Sequence, residues 1–164
     1  MSKLDAKHLR SVLNYDPITG LFVWRKSGAG HRSNFLAGSD KSHQYSRIAV
    51  SGHLYYAHRL AWLYMTGEWP PSDIDHINGI KTDNRIRNLR VATRSQNIAN
   101  SRTATTNSSG FKGVHWEAVR SKWRAQIVVD GKRKWSARFD TPEAAHAAYI
   151  DAAVEYFGAF ARSG

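Results

Sequence analysis

Between Ile74 and Asn100 the chain reads IDHINGIKTDNRIRNLRVATRSQNIAN, and that run constrains the fold more than any other. Ile74 opens a short strand that delivers Asp75 and His76. Asn78-Gly79 is a strong turn signal, and Leu89 to Ala92 returns as a second strand. Thr93 and Gln96 stand at the Thr-x-x-Gln spacing of a capping box, so a helix starts there and carries Asn97 in its first two turns. The order is strand, loop, strand, helix. The chain has no Cys, so neither a disulfide nor a thiolate zinc site can staple this unit, and packing alone must hold it.

Upstream, Leu4, Leu9, Val12 and Leu13 lie near helical spacing, which predicts a helix over about 3 to 14. Pro17 and Gly20 make a turn, residues 21–25 a strand, and the Gly- and Ser-rich residues 27–38 a loop. Ser51-Gly52 joins residues 45–50 and 53–56 as a hairpin. A helix over 57–65 is ended by Gly67, Pro70 and Pro71. Downstream, residues 101–110 are small and polar and read as a linker. Three strands follow at 111–116, 122–129 and 132–139, the last two joined by Asp130-Gly131. Thr141 and Pro142 open a helix that stops at Gly158. The expected class is α+β, with a domain over 1–100, a linker over 101–110 and a small domain over 111–164.

Composition narrows the partner. The 164 residues hold 24 Lys and Arg against 13 Asp and Glu, a net charge of +11, which points toward nucleic acid. With 41% hydrophobic residues there is enough for a real core. No stretch approaches the length of a membrane span, and the N-terminus lacks the apolar core of a secretory signal, so the expected location is the cytoplasm, with no membrane partner.

A carboxylate beside a His, with an amide oxygen brought in by a following helix, suits hydrolysis of a phosphodiester. The backbone is polyanionic, so a hard cation must neutralise charge while a base deprotonates water. Asp75 and Asn97 offer hard oxygen ligands for a Mg²⁺-like ion, and His76 suits the base. Neighbours on a strand point to opposite faces, so the strand must break near Asp75-His76 for both to serve one site with Asn97. Taken alone, an Asp-His pair before Asn-Gly reads equally as a turn with a capping Asp and a surface His.

DHINGIKTDNRIRNL followed by TRSQNIAN resembles the HNH endonuclease family in its His-Asn-Asn phage and intron form, whose fold is a ββα-metal finger. YDPITGLFVWR and AHRLAWLYMTGEWP extend the resemblance to roughly residues 10 to 100. It implies Asp75 and Asn97 as metal ligands, His76 as general base, and Asn88 as the brace of the finger loop and of the base. The ion it implies is Mg²⁺, with Mn²⁺ as the other choice. Arg85, Arg87, Arg90 and Arg94 surround the site in sequence and are expected on phosphates. Asn84 reads as a turn former or a site residue, Asn100 as a site residue or a helix end, and His58 as a packed His beside Trp62.

The C-terminal segment separates its charge. From Phe111 to Phe139 there are eight Lys and Arg against Glu117 and Asp130, whereas 140–157 has four acids and no Lys or Arg. In the middle strand Trp123, Ala125, Ile127 and Val129 alternate with Lys122, Arg124 and Gln126, leaving one face for the helix and one for a DNA groove. GFKGVHWEAVRSKWRAQIVVDGKRKW and the Ala-rich helix after it resemble the apetala-type domain of plant ethylene-response factors. The resemblance implies a three-stranded antiparallel sheet on one helix, reading duplex DNA through Lys112, His115, Lys122, Gln126, Arg133 and Trp135, beside Arg124. Trp123 is expected in the core, and Trp116 fits either role. The whole reads as a metal-dependent, homing-type DNA endonuclease in a phage or its bacterial host, acting as a monomer that nicks or as a homodimer. The rival is a non-catalytic DNA-binding or regulatory protein whose finger is only structural.

Overall fold

The computed structural model describes residues 4–25, 35–38, 45–103 and 106–162. Most of the loop expected over 27–38, and residues 104–105 of the expected linker, lie outside them. The chain divides into two compact units, Met1–Val91 and Ala92–Gly164.

In the first unit, helix α1 (Ala6–Val12) is capped by Asp5, whose carboxylate accepts from the His8 amide at 2.7 Å. The chain then turns at once into strand β1 (Leu13–Asp16), which pairs antiparallel with β2 (Leu21–Trp24), Leu13 opposite Trp24. The sequence reading extends the helix across Leu13; burial of alternate residues Leu13 and Tyr15 makes this segment a strand instead. Residues 35–37 are not pure loop, since the Trp24 amide donates to the Phe35 carbonyl and the Ala37 amide to that of Phe22. Strands β3 (Arg47–Val50) and β4 (His53–Tyr56) form the expected hairpin. Helix α2 (Ala57–Thr66) ends at Gly67, whose φ of 86° is the left-handed stop. Strand β5 (Asp73–His76) pairs with β6 (Leu89–Ala92). Leu9, Leu13, Ile48, Val50, Leu60 and Leu63 are fully buried and form one core beneath both helices. Truncating any of these Leu to Ala costs about 2 to 5 kcal/mol.

The second unit begins with helix α3 (Arg94–Asn100), where the predicted box is present: Thr93 accepts from the Gln96 amide and Gln96 accepts from the Thr93 amide. Strands β7 (Val114–Glu117), β8 (Lys122–Val129) and β9 (Lys132–Phe139) form an antiparallel sheet in that order. Asp130 and Gly131 both take positive φ, as a primed turn requires. Helix α4 (Pro142–Phe157) starts on the Thr141 cap and packs its Ala145, Tyr149, Ala152 and Ala153 on Val114, Ala125 and Ile127. The fit is close: a Cβ on Gly113 would lie 2.1 Å from Cε2 of the Tyr149 ring. The observed class is thus the expected α+β, with a three-stranded sheet on one helix.

Candidate functional site

Strand β5 ends at His76, and the turn begins with Ile77, so the expected break falls immediately after the Asp-His pair. Both side chains are buried, each about 4% exposed. The Asp75 carboxylate accepts from Arg90 Nε on β6 at 2.8 Å. His76 Nε2 lies 3.2 Å from the Asn84 amide oxygen. An amide oxygen only accepts, so Nε2 carries the proton and the neutral ring has its lone pair on Nδ1. Burial lowers the basicity of His76, opposed by the Asn84 bond and by the charges of Asp75 and Asp83. The imidazole is therefore neutral near pH 7, the state a general base needs.

His76 is walled by rings. His58 lies edge-on at 5.1 Å between centroids and Tyr45 at 5.9 Å, with Tyr56 stacked on His58 and the Lys81 ammonium over Tyr45. His58 is pushed down to about 3, mainly by burial, then by His76 and Arg59. It is a packed His as expected, but packed against the ring of His76.

Asn88 staples the loop. Its amide oxygen accepts from the Asn78 amide at 3.0 Å, and its amide nitrogen donates to Asn78 Oδ1 and to the Asp83 carbonyl. Gly79, at a φ of 70°, lets the turn close, with its amide on the His76 carbonyl. The brace on the base itself is Asn84, which sequence reasoning weighed as a turn former. Asn84 is held in turn from the β1–β2 hairpin: the Tyr15 hydroxyl donates to its carbonyl at 2.7 Å, and burial raises that phenol's pKa. Gly20 presses against the same peptide, and a Cβ there would lie 2.6 Å from the Asn84 carbonyl carbon. No local pattern marks Tyr15 or Gly20 as part of this site.

The arginines divide. Arg85 is paired with Asp83, holding that carboxyl below the usual range, and Arg90 is paired with Asp75. Arg87 and Arg94 are exposed. Asn97 lies half-buried on α3, in the second unit, and Asn100 is buried.

On the sheet of the second unit, register fixes the faces. His115 stands opposite Arg124, Glu117 opposite Lys122, Arg138 opposite Arg124 and Ser136 opposite Gln126, all on the side away from α4. Glu117 gathers this face: Arg138 Nε donates to it at 2.6 Å, and Arg124 and Arg120 lie at 3.6 and 3.8 Å. These cations, Arg138 first, hold its carboxyl below the usual range. Arg124 donates to the Gln126 amide oxygen at 2.7 Å, and Lys122 pairs with Asp140. Arg133 is exposed on β9. Two expected contacts are placed differently. Trp135 pairs with Ile127 on the helix side and packs on the core, because the strand alternation turns it inward. Lys112 is buried and donates to the carbonyls of Ala99 and Ser101. Trp116 is half-exposed, edge-on to Trp123 at 5.2 Å. Among the described residues no helix is long and apolar enough to cross a membrane.

Two domain families match segments of the chain. Residues 55–99 match the HNH endonuclease family and residues 109–159 match the AP2 domain. The chain is 38% identical to Protein 3.8 of Escherichia phage T7 over 60 residues, 37% of the chain and 50% of the relative. It thus spans half the length of that protein. It is 29% identical to an uncharacterized HNH endonuclease of Acanthamoeba polyphaga mimivirus over 148 residues, 88% of the chain and 68% of the relative. No solved structure matches the chain.

Proposed function

Because the chain carries an HNH endonuclease domain followed by an AP2 domain, we propose that it is a DNA endonuclease hydrolysing phosphodiester bonds. The observation that carries the reading is the buried His76, held by Asn84 through Nε2 beside the buried carboxylate of Asp75. Duplex DNA is the partner, bound by the face of His115, Lys122, Arg124, Gln126 and Arg133, with Arg87 and Arg94 on phosphates. The protein acts in the cytoplasm of an infected host.

HNH nucleases generally use a divalent ion, and the donor chemistry here fits a hard one. Among the described residues no three His, Cys, Asp or Glu cluster as a cage. A Mg²⁺-like ion needs few protein oxygens, since it keeps waters and takes the rest of its shell from phosphate. Asp75 and Asn97 would hold it, and the bound ion supplies charge neutralisation at the phosphate and at the leaving 3′ oxygen.

His76 accepts the proton of a water at Nδ1. The new hydroxide attacks phosphorus, the bond to the 3′ oxygen breaks, and a 5′-phosphate end results. Asn84 keeps the ring in the tautomer that presents Nδ1, and the His58 and Tyr45 rings limit its rotation. One such centre cuts one strand, so a monomer nicks and double-strand cutting needs a dimer or two events. The Asp75–Arg90 ion pair favours the other reading, a structural finger in a DNA-binding protein. A supercoiled-plasmid assay with Mg²⁺ or Mn²⁺ separates them. Nicking by wild type that His76→Ala abolishes is the expected result; a wild type that shifts DNA yet leaves the plasmid intact with every metal refutes the nuclease reading.

A further inference from the structure

Helix α3 has seven residues, too few to be stable alone in water. Within the second unit, polar contacts hold both of its ends. Near its N-terminus, Ser95 Oγ donates to the Asp130 carboxylate at 2.9 Å and accepts from the Asp130 amide at 2.8 Å, tying it to the β8–β9 turn. At its C-terminus, the Lys112 ammonium donates to the carbonyls of Ala99 and Ser101, groups that the last turn of a helix leaves without intrahelical partners. Between these ends a cavity of about 650 Å³ opens among Ile98, Val114, Ile127, Tyr149 and Phe157. These two polar pins therefore act together with the packing of α3 on α4 and on residues Gly158–Phe160.

Lys112 is the more consequential pin. A buried cation is tolerated only where its desolvation is offset by strong acceptors, and the negative end of a helix is such a place. Burial, with Arg162 adding repulsion, lowers Lys112 to about 8, so it still carries its charge at neutral pH. A DNA-contacting Lys would be expected to reach outward; this one is turned into the unit and is about 9% exposed.

We infer that Lys112 and the Ser95–Asp130 pair are positioning residues which pin the Asn97-bearing helix α3 to the sheet of the second unit. The inference rests on the reading of Asn97 as a metal ligand. Removing the pins leaves duplex binding in place and loosens the ligand helix.

The test uses the full chain and the variants Lys112→Met, Lys112→Arg and Ser95→Ala. Ser95 is half-buried and Ser95→Ala removes only a hydroxyl, so the fold stays intact even if Lys112→Met does not fold. Three quantities are read: amide exchange of residues 94–101, Mn²⁺ affinity by calorimetry, and duplex affinity by gel shift. For Lys112→Met, exchange in 94–101 rises about tenfold while β8 and β9 stay protected. Mn²⁺ affinity falls about tenfold, as when the support of a ligand is removed, and duplex affinity stays within about twofold. Lys112→Arg restores most of both losses, and Ser95→Ala shows the same pattern more weakly. Unchanged exchange and Mn²⁺ affinity in both Lys112→Met and Ser95→Ala overturn the inference. So does a loss of duplex affinity with α3 unchanged, which would make Lys112 a DNA contact. A wild type that binds no Mn²⁺ removes the metal reading itself, and it is recognised before any variant is compared.

Discussion

Gly20 lies far from His76 in sequence and touches no reacting group, yet Gly20→Ala should cripple cleavage. Its φ is +77°, and a Cβ would lie 2.6 Å from the Asn84 carbonyl carbon and closer still to the Arg85 nitrogen. Both are backbone atoms, so no side chain can swing aside. Ordinary contact begins at 3.4 Å and the Arg85 nitrogen of that same peptide would lie at 2.4 Å, so the peptide must retreat by about 1.0 Å. That peptide carries the amide holding His76 Nε2 at 3.2 Å, and such a retreat takes it beyond hydrogen-bond range. Left-handed strain costs about 1 to 2 kcal/mol, and weakening the Tyr15–Asn84 bond adds about 1 kcal/mol. For a unit of this size a loss of 2 to 3 kcal/mol lowers Tm by about 10 to 20 °C. Misplacing the base by nearly an ångström lowers the cleavage rate about 100-fold. Gly52→Ala is the control, because Gly52 has a φ of +79° and nothing within 4 Å of its Cβ. Plasmid nicking is measured for both variants well below their Tm, alongside thermal melting. Equal nicking by the two variants, or a loss in Gly20→Ala that merely follows the unfolded fraction, refutes the reasoning.

The buried His58 makes the first unit acid-sensitive. It titrates near 3 in the folded chain against 6.5 unfolded, so between those values the unfolded state binds a proton that the native state refuses, and stability is full above pH 6.5 and lost as pH falls. Going from pH 7 to pH 5 costs about 2 kcal/mol from this residue; urea unfolding of His58→Phe should lose that much of the pH dependence, and an unchanged dependence contradicts the burial argument. On the sheet, Glu117→Gln frees Arg124 and Arg138 and raises the charge of the face by one. Non-specific duplex affinity should rise about threefold with a salt dependence steeper by about one counterion, and weaker binding in a salt-titrated gel shift would mean that Glu117 orders the face more than it neutralises it.

Most elements were legible because their signals are local. Thr93 and Thr141 cap their helices where the spacing predicts, Gly67 and Gly158 stop them, and Ser51-Gly52 and Asp130-Gly131 turn the hairpins. The exception is Leu13 and Asn14, read into a helix by the apolar spacing and pulled into a strand by pairing with β2. The site was legible in part. Asp75 and His76 stand together because they are neighbours in the chain, and Asn88 braces the loop because the turn needs a side chain that both donates and accepts.

The amino-acid sequence determined by itself the elements, the charge separation of the C-terminal segment and the identity of the Asp-His pair, since each depends on residues within a few positions of one another. Tertiary structure decided what holds those groups. Asn84 rather than Asn88 grips His76, Tyr15 steadies Asn84 from 69 residues away, Trp135 turns to the core, and Lys112 spends its charge on the end of α3. Each of those outcomes depends on which polar group meets which partner once water is excluded, and spacing along a chain carries no record of such long-range pairings.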